Sequence, residues 1–139
     1  MKTGLIITLS MSTILAFIGT YFFNITSDNI EQFLSVSVVI FADGFFGVWA
    51  GVKREGFQTR KAVSVLKTFG FWIIMLACIL SIEKGFEGTA WLSETIMAPF
   101  LVFQLISILK NASMIGAVNN ELLTQILDKL DNHKGERGV

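Results

Sequence analysis

Four long apolar stretches, each about as long as a helix that crosses a bilayer, constrain this chain more than any other feature. Gly4 to Phe23 carries no charge, Phe33 to Val52 only Asp43, Ala62 to Ile82 only Lys67, and Thr95 to Val118 only Lys110. A helix rising ~1.5 Å per residue needs ~20 residues to cross ~30 Å of hydrocarbon. Helices in a water-soluble core seldom run so far without a polar face, so four in succession predict four membrane spans. Lys2 ahead of the first run also suits a cleaved signal peptide. That run is long for one, however, and "TYFFNITS" is a poor cleavage site.

The fold class expected is therefore all-α: an integral membrane bundle of four transmembrane helices plus a short C-terminal amphipathic helix. Residues 1–118 would form the membrane domain and 119–139 a cytoplasmic element. Of the 139 residues, 53% are hydrophobic and 16% charged, against about 25% charged in an ordinary soluble domain. Thirteen phenylalanines and a single proline exclude a disordered or linker-rich chain. A net charge of zero leaves no basic surface for nucleic acid. The lone Cys78 stands in an apolar run, so it reads as a small buried residue and not as half of a disulfide or a metal ligand.

The loops give the orientation. Asn24 to Gln32 has no Lys or Arg, whereas Lys53 to Lys61, "KREGFQTRK", has four. Glu83 to Glu94 has Lys84 against Glu83, Glu87 and Glu94, and Lys129, Lys134 and Arg137 follow in the tail. Basic loops stay on the cytoplasmic side, which puts both termini and the middle loop there. Tyr21, Trp49 and Trp91 fall near span ends, where aromatic residues favour the interface. Asn24-Ile25-Thr26 matches a glycosylation sequon, a motif too short to carry weight.

In the tail, Leu122, Leu123, Ile126, Leu127 and Leu130 recur at helical spacing, with Asn119 or Asn120 as a cap and Glu121 at the positive end of the dipole. Such a helix lies against the bundle or the inner membrane surface, or pairs with copies of itself. His133 stands alone in a polar segment, and "HKGERGV" reads as a frayed end.

Nothing in the chain suggests enzymatic chemistry. It has no phosphate-binding glycine loop, no nucleophile elbow and no metal-ligand pair at usable spacing, so no catalytic residue, metal or cofactor is expected. The membrane segments do hold polar residues at matching depths. Asp43 is at the midpoint of the second span, level with Gln104 and Ser107 of the fourth, and Asn111 shares their face at i, i+3 and i+7. Lys67 and Lys110 fall about one helical turn towards the cytoplasm, either reaching into the bundle or snorkelling to the surface. A charge at mid-bilayer costs ~2.5–3.5 kcal/mol even on the lenient insertion scale, so the short Asp43 is expected to face inward. Gly47-Val48-Trp49-Ala50-Gly51 forms a GxxxG, and Asp43 extends its stripe; Ser12, Ala16 and Thr20 give the first span a similar one. Small residues so spaced let helices approach closely, within a chain or between copies.

The order of these features resembles the toxin-secretion/phage-lysis holin family. The resemblance runs from about Val36 to Val118 and rests on "ADGFFGVWAG", "QTRKAVSVLKTFG" and "QLISILKNASMIGAV". Asp43, Gly47, Arg60, Lys61, Ser107, Asn111 and Gly116 match, while Gln104 and Lys110 stand where the family has glutamates. It implies a small protein of the bacterial cytoplasmic membrane that forms homo-oligomers and opens a lesion, releasing a cell-wall hydrolase, a toxin or a particle. Two other classes fit four spans and one buried carboxylate: a small proton-coupled transporter using Asp43, and a structural or anchoring subunit of a membrane complex.

Overall fold

The computed structural model describes residues 2–137, with side chains from Thr3 to Asn132 apart from Leu5. Five helices follow one another: α1 (Lys2–Asp28), α2 (Ile30–Glu55), α3 (Thr59–Gly85), α4 (Leu92–Met114) and α5 (Asn120–Arg137). The first four are long and apolar enough to cross a membrane, which agrees with the expected all-α class and span count.

The helices run further than the apolar stretches and leave less loop. Asn29 alone separates α1 from α2, where a nine-residue loop was expected from the polar residues. Its side-chain amide donates to the Ile25 carbonyl, and its own carbonyl receives the amides of Gln32 and Phe33. The turning backbone therefore stays hydrogen-bonded, which a membrane interface rewards. Between α2 and α3 only Gly56 to Gln58 are non-helical, and Gly56 takes a left-handed φ of 83°. At the other end the Ser93 amide donates to Glu83 Oε1 at 2.6 Å, so a carboxylate of α3 caps the first turn of α4. α4 stops at Met114, short of the expected Val118, because Gly116 turns the chain out with a φ of 83°.

α2, α3 and α4 form the packed bundle. Phe33, Val36, Ile40, Asp43, Gly47 and Ala50 recur at helical spacing along the inward line of α2. Phe33, Val36 and Ile40 meet Leu76, Ile79 and Leu80 of α3 and Met97 and Phe100 of α4 in one apolar core. Trp72 stacks on Phe100, ring centroids 3.7 Å apart, beside that core. The core fills the half of the bundle next to the α3–α4 loop, the acidic end. Towards the basic end, near the α2–α3 loop, buried Ala50 of α2 and Ala112 of α4 line the interior.

α1 behaves differently. Every described side chain from Ile6 to Asn24 is exposed, and only Ile25, at 1% exposure, enters the core. An ion pair of 3.5 Å between Asp28 and Lys84 marks the same end. α1 is thus joined to the bundle at one end and otherwise lies outside it. Cys78, expected to be buried, is also exposed, on the outer face of α3 with Phe71 and Ile74. A span in lipid need not hide an apolar residue to keep it from water.

α5 is attached through its beginning: Asn119 Oδ1 accepts from the Glu121 amide, and the Ser113 hydroxyl donates to Asn120 Oδ1 at 2.6 Å. Leu123, Ile126, Leu127 and Leu130 are half-buried and Leu122 is exposed. The helix continues through Arg137, past the point where fraying was expected. Gly138, Val139 and the side chain of His133 lie outside the described residues.

Candidate functional site

Next to the apolar core, on its α2–α3 loop side, lies a cavity of about 240 Å³ that Ile40, Val48 and Val65 share with a set of polar groups. Asp43, Gly44 and Gly47 line it from α2, Lys61, Ser64 and Thr68 from α3, and Gln104 and Asn111 from α4. On α2 and α4 these groups continue the inward line, whereas on α3 Lys61 and Ser64 are exposed and only Thr68 is half-buried. On α3 Lys61, Ser64 and Thr68 are spaced i, i+3 and i+7, and on α4 Gln104 and Asn111 are seven apart.

Asn111 Nδ2 donates to Asp43 Oδ1 at 3.4 Å, joining α4 to α2 across the cavity. Gln104 Oε1 is buried and has no hydrogen-bond partner among the described residues. Three of the six polar positions singled out in the sequence are therefore brought together. Ser107 is half-buried, but it is not among the residues around the cavity.

Lys67 and Lys110 are not brought to Asp43. Both are exposed, off the inward face of their helices, and among the described residues neither forms an ion pair. The snorkelling alternative is the one that fits them. The cation at the cavity is Lys61. Its ammonium lies 3.7 Å from Glu55 Oε2 and packs over Gly51, where an added Cβ would come within 2.9 Å of Nζ.

The glycines are used inside the chain. A Cβ on Gly47 would meet Asn111 Nδ2 at 3.4 Å, and one on Gly44 would lie 2.5 Å from Val65 Cγ1. Gly44, not singled out in the sequence, is where α2 packs directly against Val65 of α3 with no room for a side chain. Ser64 and Thr68 were also missed. Their signal was present in the i, i+3, i+7 spacing from Lys61, but isolated hydroxyls are common in membrane helices.

The sequence pattern of the bacteriophage holin family matches residues 17–132, from the middle of α1 into α5, and so takes in every residue of the cavity. The chain belongs to the bacteriophage holin family. Members are non-enzymatic membrane proteins, and with its four apolar helices this one is a multi-pass membrane protein. It is similar to an uncharacterised protein of Clostridium perfringens (strain 13 / Type A), 27% identical over 130 residues, 93% of this chain and 95% of that one. An uncharacterised 14.9 kDa protein in the nagH 3′ region of Clostridium perfringens is 26% identical over 102 residues, covering 73% and 77%. No solved structure matches the holin-family chain.

Proposed function

We propose that this protein is a working holin: it accumulates in the bacterial cytoplasmic membrane, assembles with copies of itself, and opens a lesion through which a wall hydrolase, toxin or particle leaves. The observation that carries this reading is the carboxylate of Asp43 in a polar cavity within a bundle of otherwise apolar helices. A group so costly to keep in a membrane is a functional feature first.

Its mechanism would rest on two states of the same groups. In the closed state the core of Phe33, Val36, Ile40, Leu76 and Phe100 seals one half of the bundle. Asp43 stays in its cavity against the Asn111 amide, because an unpartnered polar group in apolar surroundings is strongly disfavoured. When enough copies assemble, the polar faces of α2, α3 and α4 turn towards water between protomers, where a charged carboxylate is well solvated. Asp43 would then favour the open assembly, and concentration in the membrane would set the moment of opening.

Contacts between copies would fall to α1, the span left outside the bundle, and to the apolar face of α5. With the basic α2–α3 loop and both termini in the cytoplasm, the cavity would lie in the cytoplasmic half.

Controlled expression in a bacterial host with a separately expressed wall hydrolase tests the reading. Abrupt lysis is expected only when both are present, with growth arrest from the membrane protein alone. Continued growth and dye exclusion at high membrane levels would instead favour an anchoring role.

A further inference from the structure

The cavity around Asp43 has more hydrogen-bond acceptors than the described residues satisfy. The Asp43 carboxylate receives one bond, at 3.4 Å, from a neutral amide, and the buried Gln104 Oε1 receives none. Lys61, the one lysine or arginine among the described residues around the cavity, pairs with Glu55 and not with Asp43. The hydroxyls of Ser64 and Thr68 are uncommitted among the described residues. In α1, by contrast, Thr8, Ser12, Thr13 and Thr20 each donate to a carbonyl one turn back.

We propose that this cavity binds one alkali cation, held by the Asp43 carboxylate, Gln104 Oε1 and the hydroxyls of Thr68 and Ser64, with water completing its shell. The site rests on the reading of Asp43 given above and names the counter-charge that neutralises it in the closed state. An all-oxygen set is the hard ligand type that suits such ions, and a hydroxyl turned to a cation offers its lone pairs. One carboxylate balances one positive charge, whereas divalent sites gather several carboxylates or phosphates, so a monovalent ion fits. A volume of about 240 Å³, against the ~30 Å³ that a water occupies in the liquid, takes the ion and several waters. Exposed Ser64 and Lys61 mark the mouth, and the pairing of Lys61 with Glu55 offsets its repulsion there.

Thermal unfolding of the full-length protein in detergent, in sodium, potassium or N-methyl-D-glucamine chloride at equal ionic strength, tests the site. The alkali salts should raise the midpoint saturably, by about 3–5 °C at tenfold or more above half-saturation, and the bulky organic cation should not. Asp43→Asn should abolish the rise. Gln104→Leu and Thr68→Val should move half-saturation to about tenfold higher salt. Where Asp43→Asn is not recovered from membranes, the near-isosteric Thr68→Val decides. Equal midpoints in all three salts, or a Thr68→Val titration that superimposes on wild type, would overturn the site. Permeabilisation that still depends on Asp43 would then leave the holin reading standing without it.

Discussion

Asn111, in the last turns of α4, donates its side-chain amide to the Asp43 carboxylate in the middle of α2, at 3.4 Å across the polar cavity. Sixty-eight residues separate the two in sequence, so the bond fixes the register of two helices that share no loop. Hydrogen bonds to charged groups contribute ~1.5–3 kcal/mol, while polar contacts between membrane helices average ~0.6. Asn111→Leu should therefore lower stability by about 1 kcal/mol. Asn111→Asp, which sets two carboxylates together, should lower it by more. Thermal unfolding in detergent checks the order; an Asp variant as stable as wild type would contradict the contact.

Gly44 and Val65 make the second close approach. A Cβ at 2.5 Å from Val65 Cγ1 forces the two helices apart, so Gly44→Ala should destabilise by roughly 1–3 kcal/mol. The double variant with Val65→Ala should recover most of that loss. Gly47→Ala, whose nearest neighbour would be Asn111 Nδ2 at 3.4 Å, should be far milder. A Gly47 effect larger than that of Gly44 would mean that α2 packs differently.

The spans were legible because length and apolar composition suffice to place a helix in a bilayer. The inward position of Asp43 was legible too, since Phe33, Val36 and Ile40 lead to it at helical spacing and a short acid cannot snorkel. Rotation of the neighbours was harder to read. Lys67 and Lys110 lie near the depth of Asp43, and depth alone says nothing about which side of α3 or α4 they occupy. The splay of α1 was not legible at all: in lipid an uncharged helix is equally acceptable packed or unpacked, so its sequence records no choice.

On the proposed function, that splay makes α1 the expected contact between copies. With Cys78 replaced by Ser, a cysteine at Ala16 of α1 should give disulfide-linked dimers in membranes, and one at Ala50, buried at 3% exposure, should not. Dimers through position 50 alone would return the contact to the glycine face of α2.

The alternating loop charges predict that both termini and the α2–α3 loop face the cytoplasm. In the same Cys78→Ser background, cysteines at Ser27 and Glu87 should react with a membrane-impermeant reagent from outside, and ones at Phe57 and Asn132 should not. All four are exposed in the structure. Labelling of Phe57→Cys from outside would invert the protein and move the cavity to the outer half.

Timed dye entry after induction, at matched membrane levels, tests the role proposed for Asp43 most directly. Wild type should admit dye abruptly once it has accumulated. Asp43→Asn keeps the shape and the cavity but removes the preference for water, so it should insert normally and permeabilise late or weakly. Asp43→Leu removes both charge and polarity, and it should crosslink into the same oligomers without admitting dye. Entry through the Leu variant as fast as through wild type would contradict the account.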